Sequence, residues 1–308
     1  MIYDVIIIGA GPAGLTAALY TARRSLKTLV LSKTLGGQAI LPACVENFPG
    51  FIKTDGITLV NTWKEQAITA GAKIRYELVN SIQSNNQEFK ITTDANNIYS
   101  AKAVVLALGR TPKKLNVPGE DKFTGKGVAY CATCDAPLFM GKDVAVVGGG
   151  NAALDAALLL SGIANKVYLL NRSGACRAEA ALLKKLKIST IELQLNTVIE
   201  AIKGENFVES IIIKNVNTNS SKEVPVQGIF IEIGGDVNSD LVKELVKLND
   251  RQEIVIDKFN RTSVPGIFAA GDATEVPFKQ MIVAAGEGTK AALSAYHYIQ
   301  GIDIETIC

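Results

Sequence analysis

The chain has 308 residues, 48% of them hydrophobic and 20% charged, with a net charge of only +2. This length allows two domains with ample core, and the composition is that of a globular protein. The near-neutral balance argues against a nucleic-acid-binding protein. No segment approaches the roughly 18 uninterrupted apolar residues of a membrane-spanning helix, and the N-terminus lacks the basic region of a signal peptide. Five cysteines do not make a secreted disulfide framework. We therefore expect a cytoplasmic protein that binds neither nucleic acid nor membrane.

An apolar run, a glycine-rich turn and a helical pattern follow one another over residues 5–24, and a second apolar run occupies 28–31. This order is typical of a dinucleotide-binding unit built on a parallel sheet. Gly9 allows the tight turn, Gly11 lets the backbone approach a pyrophosphate, and Gly14 lets helix and strand pack closely. A pyrophosphate is therefore expected at the helix N-terminus.

The same pattern recurs 139 residues later. Adding 139 to the numbers of the first glycine-rich turn gives Gly148–Ala153 without a gap. The shift also lays Ser32 on Asn171, the positions where an acidic residue would bind an adenosine ribose, and neither is acidic. The chain therefore predicts two nucleotide sites of the same architecture.

Three further segments fit a flavin-binding domain. One apolar strand runs into Gly109 and a proline stop, which is a plausible domain exit, and a second ends at Gly271-Asp272. The Asp272 carboxylate could bind the hydroxyl groups of a flavin's ribityl chain or phosphate. A helix is predicted over 280–292, and its Gly286 and Gly288 would cost helix stability, which suggests the close approach of another backbone or a ligand.

A close-spaced pair of cysteines, Cys131 and Cys134, lies between the two nucleotide patterns. At a helix start these cysteines are one turn apart, close enough to form a disulfide, and the helix N–H groups favour thiolate. Two nucleotide sites and a dithiol together indicate that electrons pass from a nucleotide through a flavin to a disulfide. Asp135 could donate and accept the protons of this cycle, or it could simply cap the helix.

A zinc site is the alternative for the cysteine pair. A closed zinc site needs four ligands, whereas Cys44, Cys176 and Cys308 are isolated in sequence and the only histidine is His297. We expect no metal. His297 falls on a predicted helix between two tyrosines, where a surface or packed residue is more common than an acid.

These residues closely resemble the low-molecular-weight thioredoxin reductase family, and the match covers essentially the whole chain. The Cys-Ala-Thr-Cys-Asp run just before the second nucleotide pattern is the specific part. The matching segments are Gly9–Gly14, Gly36–Gln38, Glu46–Gly50, Cys131–Asp135, Gly148–Ala153 and Gly271–Asp272.

The resemblance implies a homodimer of α/β chains, each with two Rossmann-like nucleotide-binding domains. A discontinuous FAD domain would comprise 1–113 and 244–308, and an inserted pyridine-nucleotide-type domain carrying the dithiol would fill 114–243. One flavin face cannot hold nicotinamide and dithiol at once, so domain rotation is expected. The FAD-binding residues are then expected to be Gly9, Gly11, Pro12, Ala13, Gly14, Ser32, Gly37, Gln38, Asn47, Gly109, Gly271, Asp272, Lys279, Gln280 and Met281.

The resemblance also assigns roles at the dithiol and at the second nucleotide site. It implies that Cys134 faces the flavin, that Cys131 attacks the partner disulfide, and that Asp135 is the acid and base. The nicotinamide nucleotide is expected to contact Gly148, Gly150, Asn151, Ala152, Ala153, Arg172 and Arg177.

The electron donor is the point at which the sequence departs from the family. NADPH-using members carry His-Arg-Arg-x-x-x-Arg after the second module, where the arginines bind the 2′-phosphate. Here the segment is Asn171–Arg177, so Arg172 and Arg177 remain while the middle arginine is Ser173. No acidic residue marks an NADH site, and both NADPH and NADH stay open as donors.

The leading hypothesis is an FAD-dependent thioredoxin-disulfide reductase. One alternative is a flavin thioredoxin reductase that takes electrons from ferredoxin, although the intact Gly148–Ala153 turn speaks against it. Another is an NADH-dependent reductase of a peroxiredoxin- or glutaredoxin-like partner, because 276–288 also resembles the reductases that serve peroxiredoxins. The non-enzyme alternative is a flavin redox sensor whose second nucleotide fold would go unused.

Overall fold

The computed structural model describes residues 2–42, 45–85 and 88–306. Cys44 and Cys308, two of the isolated cysteines, lie outside these residues. The chain folds into two compact units. The first contains the described residues of 2–41, 48–111 and 237–306, and the second those of 42–47 and 112–236.

The first unit is built on a mixed sheet of seven strands within the described residues. Numbering along the whole chain, its strands are β1 (Ile2–Ala10), β2 (Thr28–Leu35), β3 (Lys73–Arg75), β4 (Val79–Asn85), β5 (Glu88–Thr93), β6 (Ile98–Leu106) and β17 (Ile267–Ala269), and its helices are α1 (Pro12–Arg23), α2 (Gly56–Thr69) and α7 (Met281–Ile299). The strand order is β3-β2-β1-β6-β5-β4, with β17 also paired to β6. The pairs β1–β2, β2–β3, β1–β6 and β6–β17 are parallel, and β4–β5 and β5–β6 are antiparallel.

The second unit has a parallel sheet and an antiparallel sheet. Its strands are β8 (Val128–Ala129), β9 (Asp143–Val147), β10 (Lys166–Asn171), β11 (Glu192–Leu195), β12 (Thr197–Lys203), β13 (Ser210–Asn215), β14 (Ser221–Pro225) and β15 (Gly228–Ile231), and its helices are α3 (Glu120–Phe123), α4 (Ala132–Asp135), α5 (Asn151–Ser161) and α6 (Ala180–Lys187). Counted over the described residues, the parallel sheet has five strands in the order β11-β10-β9-β15-β8, and the antiparallel sheet has three in the order β12-β13-β14. Two short strands, β7 (Arg110–Pro112) and β16 (Gly235–Val237), lie where the chain changes unit.

The α/β class predicted from the sequence is confirmed. Residues 5–8 of β1 and 144–147 of β9 are all buried, as expected for strands covered on both faces. The chain passes between the two units at 41/42, 47/48, 111/112 and 236/237, and the predicted limits of the FAD domain at 113 and 244 stay a prediction. Residues 237–243 belong to the first unit because Val242 is fully buried and packs in the same core cluster as Ile6 and Leu106.

The predicted helix at 280–292 is confirmed and extends to Ile299. A Cβ on Gly288 would overlap the carbonyl of Ala13 in α1, so the expected close backbone approach is present at this glycine. A Cβ on Gly286 would have no atom of another element within 4 Å among the described residues, so the same close approach is not found there. Across the described ranges, no helix has the length and apolarity needed to cross a bilayer.

Candidate active site

The first glycine-rich turn joins β1 to α1 and leaves room for a ligand. Gly9 has φ +110°, and a Cβ there would overlap the Ala107 carbonyl, so only glycine allows this turn. Gly11 is the N-cap of α1 and Pro12 its first residue, which leaves the first-turn N–H groups free of helical partners. The nearest atom to a Cβ on Gly11 is the Gly36 carbonyl at 3.7 Å, so the glycine keeps a concave surface open. This geometry fits a pyrophosphate.

A charged cluster lies in the same unit at the start of β7. The Arg110 guanidinium donates to Glu253 at 2.7 Å, and Lys279 Nζ lies 3.3 Å from the same Glu253 oxygen. The Gln38 side-chain amide donates to the Arg110 carbonyl at 2.7 Å. Burial raises the pKa of Asp272, and the charges of Lys279 and Arg110 partly oppose that shift. The buried Arg110 Nε has no hydrogen-bond partner among the described atoms, so a polar group of a bound molecule would satisfy it.

These observations fit FAD. All but one of the residues predicted to contact FAD lie in the first unit. Ser32 donates its hydroxyl to the Thr34 carbonyl at the end of β2. Asn47 belongs to the 42–47 segment, which groups with the second unit, whereas the other predicted FAD residues all lie in the first. Sequence reasoning missed Arg110 and Glu253, whose pairing spans 143 positions and leaves no local pattern.

The dithiol lies at the carboxyl edge of the parallel sheet in the second unit. Strand β8 leads through Tyr130 to Cys131, which is the N-cap of the short helix α4. Cys131 and Cys134 form a disulfide with their Cα atoms 5.3 Å apart, so the predicted pairing is confirmed. The chain at this edge therefore presents a reducible disulfide where parallel α/β sheets hold their ligands.

Two carboxyl groups flank this disulfide. Burial raises the pKa of Asp135 to about 6. Asp135 makes no side-chain cap hydrogen bond to the 3₁₀ turn (Ala136–Phe139) that follows it, so the structure gives the capping alternative no support there. Glu232, just past β15, accepts a hydrogen bond from Ala132 N at 3.1 Å. Burial raises the pKa of Glu232 to about 7, although that hydrogen bond opposes the shift.

The second glycine-rich turn joins β9 to α5 in the same manner as the first. Gly148 has φ +148°, and Gly150 is the N-cap of α5. The side chain of Asn151, a predicted nucleotide contact, is paired with Glu179. Asn151 Nδ2 donates to Glu179 Oε1 at 2.9 Å, and Glu179 N donates to Asn151 Oδ1 at 2.8 Å. This reciprocal pair joins the start of α5 to the start of α6.

The segment that follows β10 is docked against this turn. Asn171 is buried, donates to the Ala175 carbonyl at 2.8 Å and lies where a Cβ on Gly149 would be. Arg177 N donates to the Gly149 carbonyl at 2.6 Å, and the side chains of Arg172 and Arg177 are exposed. Both arginines are thus displayed on a loop fixed beside the glycine-rich turn, a place suited to a phosphate group.

His297 lies in α7, with its ring tilted 57° against Tyr296 at 5.6 Å between centroids. Its Nδ1 is buried without a hydrogen-bond partner among the described atoms. Among the described residues, no hydrogen bond joins His297 to a predicted site residue. This agrees with the expectation of a surface or packed residue.

A disulfide at the edge of one dinucleotide-type sheet, in a chain with a second such sheet, fits the pyridine nucleotide-disulphide oxidoreductases. The family model of that description matches residues 3–288. The chain belongs to this family and, within it, to the low-molecular-weight thioredoxin reductases.

Similar proteins support the narrower assignment to the thioredoxin reductases. The chain is 43% identical over 300 residues to the thioredoxin reductase of Treponema pallidum, covering 96% of this chain and 97% of that one. It superposes on the thioredoxin reductase of Streptococcus pyogenes with a TM-score of 0.91 at 34% identity, over 98% of this chain and 99% of that one. The Giardia duodenalis thioredoxin reductase gives 0.89 at 36% identity, over 97% and 99%.

The F subunit of alkyl hydroperoxide reductase is a related but longer protein. The Staphylococcus aureus protein is 40% identical over 302 residues, which is 96% of this chain. The chain spans 59% of that relative's length.

Proposed function

We propose that this chain is a thioredoxin-disulfide reductase in which electrons from a nicotinamide nucleotide reach thioredoxin through FAD and the Cys131–Cys134 dithiol. The observation that carries the proposal is the Cys131–Cys134 disulfide at the carboxyl edge of a dinucleotide-type sheet, beside the half-buried Asp135. The full-length match to the Treponema thioredoxin reductase supports thioredoxin as the partner class. A peroxiredoxin-linked partner, a ferredoxin donor and a sensor role have no comparable support.

The chemistry at the dithiol is a disulfide exchange. The Cys131 thiolate attacks the partner disulfide, forming a mixed disulfide and releasing one partner thiolate. Cys134 then attacks the sulfur of Cys131, which re-forms the internal disulfide and releases the second partner thiol. Asp135 takes the proton of Cys134 and passes it to a departing thiolate. Its raised pKa, about 6, lies close to neutral pH, where proton transfer by a general acid or base is most efficient.

FAD supplies, when bound, a two-electron carrier between nucleotide and dithiol. The first unit is proposed as the FAD domain, with the Gly9–Gly14 turn holding the pyrophosphate and Asp272 and Lys279 contributing polar contacts. The second unit is proposed as the nucleotide domain. The exposed Arg172 and Arg177 would bind the 2′-phosphate of NADPH, and the absence of a third arginine at Ser173 would weaken discrimination against NADH.

The family resemblance further supports a cytoplasmic homodimer, and size-exclusion chromatography with light scattering would measure the oligomeric state. A mass of twice 32.7 kDa is expected. A single chain mass over a wide concentration range would contradict the dimer.

The function is tested by anaerobic titration of the flavin-loaded protein with NADPH, NADH and reduced ferredoxin side by side. The flavin absorbance should bleach with NADPH and less readily with NADH, and oxidised thioredoxin should restore it. Bleaching by ferredoxin alone would assign a different donor. Bleached flavin that no thioredoxin reoxidises would contradict the proposed function.

A further inference from the structure

Glu232 occupies a junction between the dithiol and the second glycine-rich turn. It follows β15, which pairs in parallel with β8 on one side and β9 on the other. Strand β8 leads to Cys131 and strand β9 leads to Gly148. The carboxyl ends of three neighbouring strands therefore bring Glu232, the dithiol and the nucleotide turn to one edge of the sheet.

The backbone and the side chain of Glu232 are both held at this junction. Glu232 N donates to the Val147 carbonyl at 2.9 Å, and a Cβ on Gly148 would overlap the Glu232 carbonyl. The side chain then reaches α4, where its Oε1 accepts the N–H of Ala132 at 3.1 Å. Cys131 offers no side-chain cap to α4, so this contact from the end of the neighbouring strand β15 satisfies the first N–H of the helix.

The carboxyl group of Glu232 is placed among few other charges. The titratable residues of α4 and its N-cap are Asp135 and the two cysteines. On β9 the acidic residue is Asp143, at the far end of the strand and bonded to Asn165, and on α5 it is the exposed Asp155. No charged side chain among the described residues shifts the pKa of Glu232, which burial raises to about 7.

We propose that Glu232 is a positioning residue of the redox dithiol: it holds the start of α4 through Ala132, and its negative charge opposes ionisation of the reduced thiols. The proposal rests on the proposed function only in taking Cys131–Cys134 as the redox pair. A like charge close to an ionisable group disfavours the charged form, so ionised Glu232 raises the pKa of a thiol beside it. Since Glu232 gains its charge around pH 7, it restrains thiolate formation above neutral pH.

The test is the pH profile of thiol alkylation in the reduced full-length protein. After reduction with dithiothreitol and its removal, iodoacetamide labelling of the peptide with Cys131 and Cys134 is followed by mass spectrometry between pH 5 and 9. Glu232→Gln keeps an oxygen acceptor for Ala132 but removes the charge. Glu205→Gln, an exposed carboxylate of the same unit, is the matched control.

We expect Glu232→Gln to lower the pKa of the more reactive thiol by about one pH unit. Above pH 7, where Glu232 is charged and while the thiol is still mostly protonated, tenfold more thiolate, offset by the lower nucleophilicity of a more acidic thiol, gives alkylation about threefold faster. The difference between variant and wild type should shrink below pH 7, where Glu232 loses its charge. Glu205→Gln should superpose on the wild type. Glu232→Ala should show the same shift with a lower melting temperature, because it also loses the bond to Ala132.

A Glu232→Gln profile that superposes on the wild type, or slower alkylation in it, would overturn the proposal. The measurement uses neither nucleotide nor thioredoxin. A failed thioredoxin assay would therefore leave this result standing, and a failed alkylation test would leave the proposed function standing.

Discussion

Asn151 and Glu179 hold each other through two hydrogen bonds, of 2.9 Å and 2.8 Å, that join the first residue of α5 to the N-cap of α6. The chain between these helices carries Arg172 and Arg177. The pair therefore fixes the base of the loop on which the nucleotide phosphate is proposed to bind.

Asn151→Asp should weaken nucleotide binding. The change replaces the amide donor with a carboxylate that faces Glu179, and hydrogen bonds to charged groups are worth about 1.5–3 kcal/mol. The Michaelis constant for NADPH should rise roughly 10–100-fold, since each 1.4 kcal/mol is tenfold. Asn165→Asp, which breaks an Asn–Asp bond elsewhere in the unit, is the control. An unchanged constant for Asn151→Asp would show that the loop is held without this pair.

Asp135→Asn should slow turnover with thioredoxin without loss of bound FAD. An amide cannot exchange a proton with the thiols, and general acid–base groups contribute roughly 10²–10⁴-fold. Steady-state turnover at saturating thioredoxin measures the effect, with flavin absorbance as the check on FAD content. Unchanged turnover would exclude Asp135 as the proton carrier.

The same substitution should change how stability depends on pH. Burial raises the pKa of Asp135 to about 6 from 3.8. Folded protein therefore binds the proton more tightly than unfolded chain, and the free energy of unfolding falls as pH rises from about 4 to 6. This pKa difference of about two units corresponds to about 3 kcal/mol of unfolding free energy at most, and solvent around the half-buried carboxylate reduces that contribution.

Asp135→Asn lacks this loss of stability. Its melting temperature should exceed that of the wild type at pH 8 by a few degrees, at roughly 2–4 °C per kcal/mol, and should approach the wild-type value near pH 4. Differential scanning calorimetry of the oxidised protein measures both. A variant that melts below the wild type at pH 8 would contradict a half-buried Asp135 whose ionisation costs stability.

Ser173→Arg should strengthen NADPH preference. The backbone of Ser173 is held by the Asn196 N–H, which donates to its carbonyl at 3.2 Å, so the position is fixed on the arginine-bearing loop. A third arginine would add a charge-assisted hydrogen bond to the 2′-phosphate and lower the Michaelis constant for NADPH roughly 10–100-fold. The constant for NADH should stay nearly unchanged.

Ser173→Gln supplies length without charge and serves as the control. Equal improvement in the two variants would show that charge is not the cause. Strong NADPH selectivity in the wild type would show instead that Arg172 and Arg177 suffice.

The parts of this structure that were predictable from sequence are those with local patterns. The apolar run at 5–8, the glycine-rich turns and the cysteine pair all specify short-range geometry, and the structure confirms the strands, the turns and the disulfide. Pairings across the fold were not predictable. Ala132 and Glu232 are 100 positions apart, and only the order of parallel strands brings them together. One signal was present, since Glu232 is a charged residue in the apolar run 228–233.

Asn171 shows a different limit. The internal repeat placed it where a side chain could bind a ribose, because position in a repeat is readable from sequence. Its side-chain direction is not. In the structure the side-chain amide of Asn171 lies beside Gly149 and donates a hydrogen bond to the Ala175 carbonyl. The backbone of the loop that follows β10 thereby gains a hydrogen-bond partner.

The central claim is that electrons leave through the dithiol with divided roles for its two cysteines. The direct measurement compares Cys131→Ser and Cys134→Ser, each flavin-loaded, for thioredoxin reduction and for long-wavelength absorbance on reduction. Both variants should lose thioredoxin reduction. Cys131→Ser should show a charge-transfer band, because it keeps the Cys134 thiolate assigned to the flavin, and Cys134→Ser should not. Thioredoxin reduction that survives in either variant would contradict the account, and a band in Cys134→Ser alone would reverse the two roles.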